Sequence, residues 1–238
     1  MARYVMLVLA LLAGTAAADA DKKVVETAAT TDEAPCEDCV FIPAKGEHRP
    51  LLVLVHGDSE TALKIADAFR DTARARDIAI FAPSCPKTCP LHSFWRGNPD
   101  PSWIGNMVDE LVKKHSLDPD RVWIGGWSGG ASYVGYYLPK LAPRYAAVAL
   151  MGGGAYGGKC AKQKLPVWML AGDKSWFHAI VKRAHERIQE CKHEHVYKLF
   201  KGKDHDDEWK LVKKAETQAT VLDFLEAHPR ATKAATSE

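Results

Sequence analysis

The chain has 238 residues, a formal net charge of +2 and 47% hydrophobic residues, which suits one domain with a sizeable core. Acidic and basic residues are interleaved with no long basic block, so the charge pattern argues against a nucleic-acid partner. After the first residues no apolar run approaches membrane length, so stable membrane insertion is not expected and the mature chain reads as a soluble monomer.

Residues 1–20, MARYVMLVLALLAGTAAADA, set Arg3 ahead of an apolar run from Val5 to Leu12, followed by small residues around a cleavage point after Ala18 or Ala20. This is the pattern of a secretory signal, because the run is too short for a permanent membrane helix and no stop-transfer charges follow. Secretion or delivery to the periplasm is therefore expected. Residues 21–35, rich in Thr, Ala, Asp and Glu, offer little to bury and read as a flexible lead-in. The folded domain is expected over 36–229, with 230–238 as a flexible tail.

Val40-Phe41-Ile42 reads as an edge strand before the Lys45-Gly46-Glu47 turn. Leu51 to Val55 is a continuous apolar run, as in a parallel strand covered on both faces, and it ends at His56-Gly57. A helix over about 62–76 is predicted to bury Leu63, Ala66, Phe69 and Ala73. The strand Ile78 to Ala82 leads into a Pro-, Cys- and Gly-rich loop reaching Pro101, after which Ser102 is placed to cap a helix carrying Ile104, Val108, Leu111 and Val112. Asp118-Pro119-Asp120 ends that helix. Val122-Trp123-Ile124 forms another strand, followed by glycines, Ser128 and a helix through Leu138. Ala146 to Met151 and Val167 to Leu170 are further buried strands. A helical pattern from Phe177 to Cys191, a late strand from Val196 to Phe200 and a closing helix marked by Leu211, Ala215, Leu222 and Leu225 complete the chain. Alternation of strand, loop and helix predicts an α/β domain with a mostly parallel sheet and right-handed crossovers.

The six cysteines are an even set in an exported chain and read first as disulfides. Cys36-Glu-Asp-Cys39 and Cys85-Pro-Lys-Thr-Cys89 are close enough for local bridges, leaving Cys160 and Cys191 as a long-range pair, although sequence alone leaves other pairings open. A zinc site built on Cys36, Cys39 and His48 or His56 is the competing reading; the preferred one has no metal and no cofactor. No glycine-rich stretch is followed by an acidic ribose ligand at dinucleotide-binding spacing.

Chemistry concentrates in Gly125-Gly126-Trp127-Ser128-Gly129-Gly130, where a strand passes into a helix. The Gly-x-Ser-x-Gly core permits a tight turn that lifts the serine hydroxyl above the sheet, and a Cβ at 126 or 130 would crowd the approaching backbones. Unpaired donors at the start of the next helix favour developing negative charge beside Ser128. Ser132, Ser102, Ser84 and Ser59 lack this setting and read as caps or surface hydroxyls.

On these residues, together with His56-Gly57 after its strand and a late acid and histidine in order, the chain from Leu51 to Leu225 resembles the α/β-hydrolase superfamily. Within it, the nearest likeness is to secreted polyhydroxybutyrate-depolymerase-like and feruloyl-esterase-like serine esterases. The resemblance implies a single-domain α/β-hydrolase fold with Ser128 as nucleophile. It also implies the Gly129 and Asp58 backbone N–H groups as oxyanion donors; a carboxylate beside an oxyanion is unfavourable, so the Asp58 side chain is expected to point away, and an inward carboxylate would count against that donor.

His205, in a loop after the late strand, is chosen as general base because histidine is the side-chain type suited to proton transfer near neutral pH and a loop leaves it free to swing toward Ser128. The acid expected to orient it is Asp173. In the resembled family the acid often stands three residues after Gly172, where this chain has Ser175. Local substitution by Asp206 or Asp207, or an incomplete triad, therefore stays open. Trp127, Trp95, Trp103 and Trp176 are expected near the strand ends, where they suit a small or polymeric ester substrate or simply pack the loops. The competing functions are a binding protein with an impaired triad and a disulfide-stabilised envelope protein in which Ser128 and His205 lie apart.

Overall fold

The computed structural model describes residues 33–230. The signal segment, most of the lead-in and the tail beyond Arg230 lie outside the described residues. Seven strands form one sheet: β1 (Val40–Ile42), β2 (Leu51–Val55), β3 (Ala79–Ala82), β4 (Val122–Trp127), β5 (Val148–Met151), β6 (Val167–Gly172) and β7 (His195–Phe200). Their spatial order is β1-β3-β2-β4-β5-β6-β7. Only β1 runs antiparallel, pairing Val40 to Ala82; every other neighbour is parallel.

The uninterrupted apolar strands have a direct cause: β2 through β6 are buried along their whole length, because helices cover both faces. One layer contains Val53, Ile124, Leu150 and Met169; the other contains Leu52, Leu54, Trp123 and Trp168. Alternate residues of each strand thus feed opposite layers.

Among the described residues the α-helices are α1 (Ala62–Arg74), α2 (Phe94–Gly97), α3 (Ser102–Lys114), α4 (Gly129–Tyr136), α5 (Leu138–Leu141), α6 (His178–Glu190), α7 (His205–Val212) and α8 (Ala215–Glu226); α2, inside the loop predicted before Pro101, and α5 are short helices that the sequence reading did not separate. Local differences have local causes. Ile65 rather than Leu63 completes the buried face of α1, leaving Leu63 exposed. Pro101 occupies the cap position before α3, and the Ser102 N–H donates to Asp100 Oδ1. The closing helix is two helices, broken at Lys213-Lys214. No helix among the described residues is long and apolar enough to cross a membrane.

Three disulfides join Cys36 to Cys39, Cys85 to Cys89 and Cys160 to Cys191. The pairing occupies the sulfurs that the zinc alternative required.

Candidate active site

The C-terminal ends of β2, β4 and β6 open into one cleft, the usual place for a site in a parallel sheet. At the end of β4, Ser128 takes φ 53°, ψ −118°, a conformation disfavoured for a residue with a side chain. Its N–H donates to the Met151 carbonyl at 2.9 Å, and its carbonyl accepts from the Ser132 N–H at 3.0 Å, so both flanks of the turn are pinned. Glycine is required on either side. A Cβ at Gly126 would lie 2.5 Å from the Gly130 carbonyl carbon, and one at Gly130 would collide with the carbonyl oxygens of Val55 and His56. That second close approach brings the loop after β2 against the start of α4. Ser132 is buried, and its hydroxyl accepts from the Gly154 N–H at 3.2 Å, a structural role.

Ser128 Oγ lies 2.8 Å from His205 Nε2, and His205 Nδ1 lies 2.6 Å from Glu208 Oε2. With Nδ1 carrying the hydrogen and donating to the carboxylate, Nε2 is left to accept from the serine hydroxyl. Glu208 is fully buried but not unpaired. Its Oε1 accepts from the Gly172 N–H at 2.6 Å and its Oε2 from the Ser175 hydroxyl at 3.0 Å. Three donors therefore converge on one carboxylate and offset its desolvation. Ser128, His205 and Glu208 form a complete Ser–His–acid triad.

Two sequence expectations change here. Asp173 does not reach His205: its carboxylate accepts from the Gly202 N–H at 2.6 Å and closes the loop after β7. Asp206 lines the cleft, while Asp207 pairs with Lys203 and Lys210. The acid stands one residue further on, because His205 begins α7 rather than lying in a loop, and a spacing of three residues puts both side chains on one helix face. The signal was His-x-x-Glu at a helix start. Ser175, where the resembled family often carries its acid, donates a hydroxyl to Glu208 instead. The triad is complete, so a missing acid no longer supports the binding-protein alternative, and the short Ser128–His205 separation removes the envelope-protein one.

Asp58 and Gly129 adjoin as the resemblance implied, but the Asp58 carboxylate does not turn away. It packs over Gly129 so closely that a Cβ there would collide with Oδ1. The Ser93 hydroxyl donates to Oδ1, and Arg96 Nε lies 3.9 Å from Oδ2; these partners hold the carboxylate inward. Nearby, His56 is buried, with Nδ1 2.8 Å from the Gly57 carbonyl and the Cys85 N–H donating to Nε2 at 3.2 Å. Burial holds this imidazole below its ordinary value, against the opposing effects of the Gly57 carbonyl and Glu60, so it ties two loops together as a neutral ring.

The cleft has a volume of about 590 Å³ and includes Leu91, Trp176, Phe177 and Ile180 beside Ser128 and His205. The four tryptophans separate. Trp176 is 79% exposed at the mouth, whereas Trp127 is 3% exposed and stacks on His205. Trp95 packs edge-on against Tyr136, and Trp103 packs against the core beside the Cys85 loop.

No family model matches the sequence. It is similar to a bifunctional acetylxylan esterase/xylanase of Neocallimastix patriciarum, 25% identical over 138 residues, which is 56% of this chain and 20% of that protein. The chain thus spans about a fifth of that relative. Among solved structures it is similar to esterase PE8, with a TM-score of 0.60 and 17% identity over 79% of this chain and 96% of that one. A thermostable esterase superposes with a TM-score of 0.64 and 17% identity over 81% and 59% of the two chains. A phospholipase/carboxylesterase from Dyadobacter fermentans gives 0.57 and 19% over 75% and 95%. A parallel sheet of this order, a strained serine between β4 and α4 and a histidine after β7 make the chain an α/β-hydrolase fold bearing a Ser–His–Glu triad.

Proposed function

We propose that the protein is an exported serine esterase that hydrolyses carboxylic esters through an acyl-enzyme. The observation that carries this reading is the unbroken chain from Ser128 Oγ through the His205 ring to Glu208. Ser128 Oγ attacks the ester carbonyl carbon while its proton passes to His205 Nε2, and Glu208 stabilises the resulting imidazolium. The carbonyl oxygen becomes negative against the Gly129 N–H and a second backbone donor from the loop after β2; the Asp58 N–H is the weaker choice for that donor, because the Asp58 carboxylate turns inward over Gly129. Collapse expels the alcohol, which takes the proton from His205. Water then loses a proton to His205 and attacks the acyl carbon; the Ser128 Oγ–acyl bond breaks, Oγ takes that proton back from His205, and the acid is released.

The substrate class we favour is an ester of a carbohydrate or phenolic acid, free or in a polymer. Supporting it are the exposed Trp176 at the mouth, which offers a flat face to a sugar or aryl ring, the resemblance to secreted depolymerase-like and feruloyl-esterase-like enzymes, and the acetylxylan esterase named in the relative. Three disulfides support a life in an oxidising compartment after export.

The test is covalent. A serine-directed phosphonate probe should label the purified protein at Ser128, and short aryl or alkyl esters should turn over. Ser128→Ala should lose the label and nearly all turnover, whereas Ser132→Ala should keep the mechanism. Unchanged turnover in Ser128→Ala would overturn the proposal.

A further inference from the structure

Trp127, the residue before the nucleophile, is built into the site in a way that a substrate wall would not require. Its indole lies parallel to the His205 ring, with centroids 4.7 Å apart and planes 10° from coplanar. Two glycines form its slot. A Cβ at Gly57 would lie 2.8 Å from the indole Cδ1, and one at Gly152, where φ is +60°, would collide with Cζ3 and Cη2. Trp209 packs against Trp127 at 5.0 Å, and the Lys64 ammonium sits 4.9 Å from the centre of the Trp209 ring. His205 and Trp209, four residues apart on α7, thus both pack against Trp127, His205 in a parallel stack and Trp209 tilted by 41°.

We infer that Trp127 is a positioning residue for His205 that also stabilises the imidazolium formed during turnover. This rests on the proposed hydrolase mechanism. The physical reason is the quadrupole of the indole, whose negative face attracts a cation centred over it. A neutral ring in the ground state gains little from that face, while the protonated ring of the transition state gains more, so the interaction lowers the barrier rather than tightening binding. The parallel stack also limits how far the ring can tilt out of line between Ser128 Oγ and Glu208. Other charges stand around the ring: Glu208 and Asp206 on α7, Asp58 and Glu60 after β2, Lys64 on α1 and Arg96 on α2. Substituting Trp127 leaves all of them in the chain.

The experiment compares Trp127→Phe and Trp127→Leu with the unsubstituted protein, following hydrolysis of a soluble aryl ester from pH 5 to 9. Phe keeps a flat face, so kcat should stay within about threefold; Leu removes it, so kcat should fall about tenfold with KM nearly unchanged. In the Leu variant the acid limb of the kcat/KM profile should also move to lower pH, because a less stabilised imidazolium gives up its proton sooner. An unmoved acid limb, a loss carried by KM, or a Phe variant as impaired as Leu would overturn the inference. If the Leu variant fails to fold, the unsubstituted protein still decides. The His205 ring resonance, assigned by its absence in His205→Gln, should lie upfield as expected over an indole face, and an unshifted resonance rejects the stack. Absence of phosphonate labelling in the unsubstituted protein would instead strike the hydrolase reading, and with it the catalytic part of this inference.

Discussion

The elbow at Ser128 and the first turn of α7 supply the two halves of the triad by opposite means. At the elbow each constraint is a matter of backbone space: Gly126 and Gly130 leave room, and Ser128 takes the strained torsion. On α7 the constraint is register, since His205 and Glu208 share a face only because the helix starts at His205. Steric demands on glycine are written into a few adjacent residues. A helix start depends on a cap, here the Asp204 carboxylate accepting from the Asp207 N–H at 2.9 Å, and is harder to read.

The sharpest way to break the comparison is at the acid. Glu208→Ala should lower kcat by about a thousandfold or more, as expected for an imidazole that loses its orienting carboxylate, while Asp173→Ala should change it by less than about threefold. Parallel kinetics on the two variants checks this. Equal losses would mean that the hydrogen bonds around His205 do not report the working acid.

A smaller effect is expected at the partner of that acid. Ser175→Ala removes one of three donors to a buried carboxylate, which should reduce kcat by roughly tenfold and destabilise the fold by about 1–2 kcal/mol. Urea melts beside the kinetics would separate the two effects, and an unaltered enzyme would show that two donors suffice. Restoring a carboxylate at the family's usual position, as Ser175→Asp in a Glu208→Ala background, should regain about tenfold of the lost rate. No recovery would mean that register on α7 is indispensable.

On the elbow side, Asp58→Asn removes a negative charge beside Gly129 while keeping an acceptor for Ser93. If the main chain of Asp58 serves the oxyanion, kcat should rise by about two- to threefold. A rise in KM without a gain in kcat would make the carboxylate a contact for the substrate instead.

The smallest effect concerns pH. His56 and His193 are both held below the ordinary value of 6.5, chiefly by burial. Below pH 6.5 the unfolded chain takes up protons that these rings refuse in the fold. Their contribution to stability is therefore complete above that pH and declines as pH falls through the folded values. Urea midpoints should drop between pH 7.5 and pH 5. A flat midpoint would contradict this reading of the His56 tether.

Much of the molecule was legible because its signals are local. Apolar runs such as Leu51 to Val55 gave the buried strands, the glycines around Ser128 gave the elbow, and cysteine spacing pointed to the two local disulfides, with Cys160 and Cys191 left over as the third pair. What escaped depended on partners distant in sequence. Asp173 has a plausible position after β6, yet the Gly202 N–H claims its carboxylate. The inward turn of Asp58 is set by Ser93, 35 residues away, and the exclusion of Trp95 from the cleft follows from its packing on Tyr136.

Base and acid ride on the same eight-residue helix, so neither can be misplaced alone. Local opening of α7 withdraws both together while leaving the nucleophile seated in a folded sheet. If α7 opens before the domain melts, heat inactivation should run ahead of the loss of overall secondary structure.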